Sequence, residues 1–420
     1  MLKIAIIGVG TVGASVANIL KDNKDIITSR AGVEIVPTIG VVNDLSKKRD
    51  VSIELTDDLD KALNDDSIDI IVELMGGVER PYEIIKRALS KGKPVVTANK
   101  ALLAYHRYDL EKLAGDIPFE YEAAVAGGIP IINALRDGLS ANNIESIRGI
   151  LNGTCNYMLT RMINDGIDYE SILKEAQELG YAEADPTFDV GGFDAAHKLL
   201  ILASIAYDVD AKPEDILIEG IQNIDTPDID FANEFNYSIK LLAIAKRVGK
   251  QIELRVHPVF IPKTEMIAKV DGVMNGISVI GDKVGETMYY GPGAGGNATA
   301  SAVIANIVDI ARRGKGAPML GFEFDYKANL TIMPKDEIET KYYLRLRIED
   351  KVGVLAKVTK ILGEHEISIE KMIQKPYNTT CAHLLLSTHV CIEKNINKAL
   401  KEIENSGVAT TKPVMIRIED

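Results

Sequence analysis

The stretch Lys3-Ile4-Ala5-Ile6-Ile7-Gly8-Val9-Gly10-Thr11-Val12-Gly13 is the most informative in the chain. Residues 3–7 form a mostly apolar run of strand length, and a helical pattern starts at Thr11. Between them, the spacing Gly-x-Gly-x-x-Gly lets the backbone turn tightly and approach a pyrophosphate, which then sits at the helix N-terminus. Three glycines at that spacing are common by chance. A strand immediately before and a helix immediately after give them meaning. Gly8, Val9, Gly10, Thr11, Val12 and Gly13 are therefore assigned to a dinucleotide-binding turn.

The surrounding pattern agrees. Apolar runs at 34–42, 69–74, 94–97 and 119–121 read as strands, and amphipathic stretches at 11–21, 59–64, 80–91 and 100–114 read as helices. Such alternation predicts an α/β fold with a mostly parallel, Rossmann-type sheet covered on both faces, here over residues 1–130. The second strand ends in Asn43-Asp44, followed by Lys47-Lys48-Arg49. Asp44 suits the ribose hydroxyls of NAD, and the basic cluster suits the 2′-phosphate of NADP. Both cofactors stay open on the residues alone.

From residue 131 the pattern changes to α+β. A strand at 144–151 is followed by helices at 155–164, 169–180, 195–207 and 234–248. Strands then follow at 252–261, 266–273, 276–280 and 286–290. This second domain, 131–297, ends in the glycine-rich Gly291-Pro292-Gly293-Ala294-Gly295-Gly296, and the helix expected at 298–313 packs back on the first domain. Residues 314–341 have no sustained period and read as a linker. Residues 342–420 have the order βαββαβ, the ferredoxin-like unit. Its strands are expected at 342–348, 368–374, 383–388 and 414–418, and its helices at 354–364 and 396–404.

Composition narrows the function. The chain has 420 residues, with 48 Lys+Arg against 61 Asp+Glu and a formal net charge of −13, which argues against nucleic acid or an anionic membrane as partner. Three cysteines cannot build a disulfide framework, as expected in a reducing compartment. No signal-peptide pattern opens the sequence, and no apolar run reaches the ~20 residues that span a bilayer. The expectation is a cytoplasmic enzyme.

Chemistry concentrates at 180–198, where Glu183, Asp185, Asp189, Asp194 and Lys198 fall within nineteen residues. Asp194 and Lys198 are i and i+4 on a helix and share a face. An isolated pair of this kind is ordinarily a surface ion pair worth a few tenths of a kcal/mol. Here Leu199-Leu200-Ile201-Leu202-Ala203 follows, apolar all round, so the helix is expected to be buried. A desolvated lysine beside an aspartate can be tuned for proton transfer. His197 and His106 read as packing or surface residues.

Several motifs follow in order: Gly8-Val9-Gly10-Thr11-Val12-Gly13, Thr97-Ala98-Asn99-Lys100, Tyr121-Glu122-Ala123-Ala124-Val125-Ala126-Gly127-Gly128-Ile129-Pro130, Leu151-Asn152-Gly153-Thr154-Cys155-Asn156-Tyr157, and Gly180 to Pro186 with Asp194 and Lys198. Together they resemble the homoserine dehydrogenase family over residues 1–320. The resemblance implies reversible oxidation of L-homoserine to L-aspartate 4-semialdehyde with NAD or NADP, on the path to threonine and methionine. It implies Lys198 as proton donor and acceptor with Asp194 beside it, and Lys100 between nicotinamide and substrate. It also implies Glu183 and Asp189 as substrate contacts, and Thr97, Asn43, Asp44, Gly291 and Gly293 near the cofactor. Oxygens of Glu122, Val125, Gly127 and Ile129 match a loop that binds a monovalent cation, sodium in this family. Main-chain carbonyls are suitable ligands for such a hard ion. Many members carry an arginine where this chain has Asn43.

The tail resembles an ACT domain through Asp350-Lys351-Val352-Gly353-Val354-Leu355. Such domains pair side by side and bind amino acids, which implies inhibition by L-threonine; the plainer alternative is a dimerisation module. The whole is expected to be a homodimer or homotetramer. Two rivals remain at this level. One is an aspartate-semialdehyde dehydrogenase with Cys155 as nucleophile. The other is an amino-acid sensor that binds dinucleotide without turnover.

Overall fold

The computed structural model describes residues 1–314, 317–324 and 326–419. Positions 315, 316 and 325 of the expected linker and position 420 of the tail lie outside the described residues. The chain divides into two compact units. The first comprises 1–146, 197–213 and 274–330, and the second 147–196, 214–273 and 331–420.

The first unit holds a six-stranded parallel sheet of β1 (Leu2–Ile7), β2 (Ile35–Val41), β3 (Glu54–Thr56), β4 (Ile70–Glu73), β5 (Val95–Thr97) and β6 (Phe119–Glu120). Its order is β3-β2-β1-β4-β5-β6, which reverses direction between β1 and β4. Ligands bind in such sheets outside the carboxyl ends of the strands, at that switch point. The helix Lys24–Ala31 and β3 are among the elements that escaped the sequence pattern. The helix has almost no apolar face, and β3 is three residues long, so neither generates a readable period.

Helix Gly296–Arg313 packs on helix Thr11–Asp22, and Ala300, Val303, Ile304 and Ile307 share one core with Val16, Ala17, Leu20 and β1. A Cβ on Gly296 would lie 2.8 Å from the Ser15 hydroxyl, so the two helices approach closely there. The hairpin Met274–Gly281 with Gly285–Pro292 belongs to the same unit.

In the second unit a sheet runs Tyr237–Val248, Gln251–Pro262, Val414–Ile418, Glu339–Glu349, Cys381–Thr388, Ile369–Pro376. Its last four strands, with helices Val354–Glu364 and Glu393–Asn405, form the βαββαβ module. The module's edge strand pairs in parallel with the preceding domain through Val259↔Arg417 and Phe260↔Ile418, so one sheet serves both. The sheet face opposite those helices is covered by helix Thr226–Glu234. There the Tyr343 hydroxyl and the Arg345 guanidinium each donate to Asp228 at 2.8 Å.

Two expectations are corrected. Residues 237–248 form a strand where a helix was expected over 234–248; the helix is Thr226–Glu234. The strand is buried along most of its length and pairs with Gln251–Pro262 through all twelve residues, so its apolar run carries no alternation to mark it as a strand. Residues 266–273 hold a single 3₁₀ turn, Ile267–Lys269, in place of a strand. The stretch read as a linker is tied down at its described residues. Tyr121 donates to the Met319 carbonyl at 2.6 Å, and Thr331–Ile332 pairs with Gln251 and Ile252.

Candidate active site

The dinucleotide turn lies in the first unit at the end of β1. Gly8 takes φ +101°, and a Cβ there would stand 2.7 Å from the Leu74 carbonyl oxygen. A Cβ on Gly13 would meet the Gly8 carbonyl oxygen at 2.3 Å, whereas one on Gly10 would meet nothing within 4 Å. Two glycines thus satisfy the fold, and the middle one keeps the approach open. Helix Thr11–Asp22 begins there with no side-chain cap, so its first amides are available to an anion.

A crevice of about 490 Å³ opens over this turn, walled by Gly8, Val9, Gly10, Thr11, Asn43 and Asp44 together with Lys47, Arg49, Met75 and Arg80. Val12 packs toward the core and Gly13 is buried beneath the turn. Within this crevice, Asp44 is engaged by Ser46, whose amide and hydroxyl donate to it at 2.9 and 2.6 Å; the hydroxyl is the main reason its carboxyl sits below the usual range. Arg49 donates to the Val9 carbonyl at 2.8 Å, and Arg80 donates to the Asn43 side chain at 3.0 Å. Arg80 and Asn43 lie on different βα units, so their contact has no local signal in the sequence. The residues present fit a dinucleotide.

Thr97 and Lys100 sit at the end of β5 and the start of helix Lys100–Ala114. Thr97 donates to Glu73 at 2.6 Å and accepts from the Asn99 amide at 3.0 Å, while Glu73 also accepts from the Met75 amide at 2.6 Å. Burial pushes the Glu73 carboxyl up to about 7. Lys100 occupies the first helical position, where the helix dipole disfavours a cation by ~0.3–1 kcal/mol.

The turn 122–129 is buried apart from Gly128. The Glu122 side chain accepts from the Ile132 and Asn133 amides at 2.8 Å each, and burial raises it to about 7. Its main-chain oxygen accepts from Val125 at 3.4 Å, and that of Ile129 from Ile131 at 2.8 Å. Main-chain carbonyl oxygens, such as this turn offers, are the donor class that a hard monovalent cation takes. Gly127 lies back to back with Gly293, since a Cβ on Gly127 would fall 2.7 Å from the Gly293 carbonyl. Beside Gly293, both polar atoms of the buried Asn275 side chain lack partners among the described residues, as expected of a wall that a polar ligand completes. Among the described residues no His, Cys, Asp and Glu side chains cluster as a metal site.

In the second unit, Asn152 organises the carboxylates. Its side-chain nitrogen donates to Asp189 at 2.8 Å and to Asp194 at 2.9 Å, while its oxygen accepts from the Cys155 amide at 2.8 Å and caps helix Gly153–Asp165. The amide of Cys155 fixes which end of Asn152 faces the acids. The Cys155 thiol lies 3.2 Å from the Asp189 carbonyl oxygen, a buried structural contact and not the setting of a nucleophile. Glu183 is exposed on the preceding turn, its main-chain carbonyl held by Gln177. Asp194 and Lys198 lie one turn apart on helix Phe193–Tyr207, 2% and 9% exposed. His197 packs edge-on against Tyr105, with ring centroids 5.5 Å apart.

A pyrophosphate-binding turn at the switch point of a parallel sheet, with a buried lysine and ordered carboxylates elsewhere in the chain, is the equipment of a nicotinamide-dependent oxidoreductase. Family comparison makes this specific. Residues 8–117 match the family model "Homoserine dehydrogenase, NAD binding domain", 130–308 match "Homoserine dehydrogenase", and 342–407 match "ACT domain". The Helicobacter pylori homoserine dehydrogenase is 54% identical over 420 residues, covering 100% of this chain and 99% of its own. The Thiobacillus denitrificans homoserine dehydrogenase crystal structure superposes with a TM-score of 0.92 at 44% identity, covering 100% of this chain and 98% of that one. A hyperthermophilic archaeal homoserine dehydrogenase in complex with NADPH matches 73% of this chain and 97% of its own, with a TM-score of 0.62 and 27% identity. The chain belongs to the homoserine dehydrogenase family, enzymes that interconvert L-homoserine and L-aspartate 4-semialdehyde with NAD(P) in amino-acid biosynthesis, and it carries the ACT domain. Among the described residues no helix is long and apolar enough to cross a membrane.

Proposed function

We propose that Lys198 carries the proton in this reaction. In the oxidising direction a bound nicotinamide would supply the hydride acceptor, its pyrophosphate held by the Gly8–Gly13 turn. Neutral Lys198 accepts the hydroxyl proton as the C=O bond forms, and in the reducing direction the lysinium returns it to the carbonyl oxygen. Asp194, one turn earlier, stabilises the lysinium. Lys100 orients the reacting carbon toward the nicotinamide, and Glu183 and Asp189 bind the substrate's polar end. The observation that supports this reading is the Asn152 bridge, which ties Asp189 to Asp194, the latter one turn ahead of a lysine only 9% exposed. Lys198→Ala should lose homoserine-dependent NAD(P)H formation at 340 nm while still quenching or enhancing NADPH fluorescence on binding. Retained turnover would remove Lys198 from the reaction.

The same reading favours NADP. Asp44 is committed to Ser46, and Arg80, seated on Asn43, supplies the guanidinium that other members carry at that position, with Arg49 and Lys47 beside it. Rates with NAD and NADP in parallel test this. Thr97, Gly291 and Gly293 border the nicotinamide end. The carbonyl oxygens of Glu122, Val125, Gly127 and Ile129 hold sodium, and dialysis against a bulky organic cation followed by sodium addition should restore activity. The ACT module makes the cytoplasmic homodimer or homotetramer responsive to an amino acid, with L-threonine the first to test.

A further inference from the structure

Helix Lys100–Ala114 carries in its interior an arginine that neither the cofactor nor the substrate assignments use. Arg107 is 2% exposed, and burial depresses its pKa, so its charge is held at a cost in free energy. The carboxylate paired with it, Asp210 at 3.5 Å, is itself exposed. The guanidinium instead takes neutral oxygens from two segments. It donates to the Ser204 hydroxyl, to the Ala211 carbonyl at 2.6 Å and, within its own helix, to the Ala104 carbonyl at 2.7 Å.

Ser204 and Ala211 belong to one stretch of chain. Ser204 is fully buried in helix Phe193–Tyr207, the helix of Lys198, and its hydroxyl points its one hydrogen toward the Leu200 and Val209 carbonyls at 2.9 and 3.2 Å. Ala211 lies just beyond that helix's C-terminal end, where the dipole favours a cation. A second contact joins the same two helices, the edge-on packing of Tyr105 against His197. All of these residues, with Lys100 and Lys198, lie within the first unit. Lys100 and Arg107 are seven positions apart, two turns and about 10 Å along one helix face. Ser204 stands six positions beyond Lys198. Sliding or rotating one helix on the other would change how the two lysines stand, and a planar fork gripping two points of the partner segment opposes both motions.

We propose that Arg107 is a positioning residue, which fixes the helix beginning at Lys100 against the helix carrying Lys198 and so sets how the substrate-orienting and proton-carrying amines stand to each other. The inference rests on the roles given to those two lysines above. Arg107→Met removes the donors and keeps much of the side-chain length, whereas Ser204→Ala removes only the hydroxyl between the helices. Two quantities are read on the full-length enzyme. One is NADPH affinity by fluorescence. The other is the rate constant of NADPH formation at 340 nm in a single turnover, with enzyme in excess over NADP and homoserine saturating. A rate constant, unlike a specific activity, does not fall when part of a preparation is unfolded, so a purely structural arginine leaves it unchanged. The expected result is a rate constant at least about tenfold lower in Arg107→Met and about threefold lower in Ser204→Ala, with NADPH affinity within about twofold of wild type in both. The double variant should fall no further than Arg107→Met, since both changes break one contact. A wild-type rate constant in Arg107→Met overturns the proposal; if that variant fails to fold, a wild-type rate constant in Ser204→Ala does so. Equal losses of rate and affinity also overturn it, because they mark general loosening. Wild-type turnover by Lys198→Ala overturns the lysine reading itself, a failure separable from the others because Arg107 is intact in that protein.

Discussion

Replacing Asn152 by aspartate separates its two jobs. A carboxylate still caps helix Gly153–Asp165, where the Cys155 amide donates to position 152 and the helix dipole favours negative charge. The donors to Asp189 at 2.8 Å and Asp194 at 2.9 Å vanish, and a third negative group stands between two others. A hydrogen bond to a charged group contributes ~1.5–3 kcal/mol, and two are lost here, less whatever water recovers. If about 2–3 kcal/mol of that appears in the transition state, kcat/KM for homoserine falls about 30- to 150-fold. Asn152→Ser, which keeps a neutral cap, should fall less. The assay is initial rate at 340 nm over a homoserine series, with urea unfolding of each variant alongside. A wild-type kcat/KM in Asn152→Asp would refute the bridge as a positioning device. So would an activity loss tracking unfolding free energy equally in both variants.

Other consequences follow from buried charges and tight backbone. Glu73, raised to about 7 by burial, binds a proton in the folded state that the unfolded chain releases near 4.5. Ionising it in place therefore costs stability, progressively between pH 4.5 and 7 and fully above 7, by of order 3 kcal/mol. Glu73→Gln should flatten the decline in urea-unfolding free energy between pH 5 and 8, and an unchanged decline would locate the effect elsewhere. Glu393→Gln weakens one of the two carboxylates on buried Arg417 and should destabilise the chain by ~3 kcal/mol or more in the same assay; a change below 1 kcal/mol would show the pair to be dispensable. Arg80→Ala should raise KM for NADP about tenfold or more and leave that for NAD nearly unchanged, whereas equal effects on both would deny it a role at the 2′-phosphate.

Much of this was legible in the sequence, for identifiable reasons. The strand–glycine turn–helix opening carries its own local geometry, so β1, the turn and its helix fall where the pattern puts them. The βαββαβ tail is legible because its two helices are amphipathic, each burying one face on the sheet. Strand Tyr237–Val248 was misread because burial along most of its length removes periodicity. The continuous sheet joining the module to Gln251–Pro262 depends on a pairing 158 positions apart in sequence at Val259↔Arg417, which no local signal encodes. In the site, Asp194 and Lys198 are visible as an i,i+4 pair. Asn152 was visible only as part of a motif, because its bond to Asp189 spans 37 residues and that to Asp194 spans 42. Arg80 is comparable, meeting Asn43 across 37 residues.

The central claim is that Lys198 moves the proton, and the pH dependence of kcat for homoserine oxidation tests it most directly. The account predicts a rate that rises with pH as one group deprotonates and then levels, with Lys198→Ala lowering it at least about a thousandfold and abolishing the titration. A flat profile in the wild type, or a Lys198→Ala enzyme that keeps both rate and titration, would contradict it.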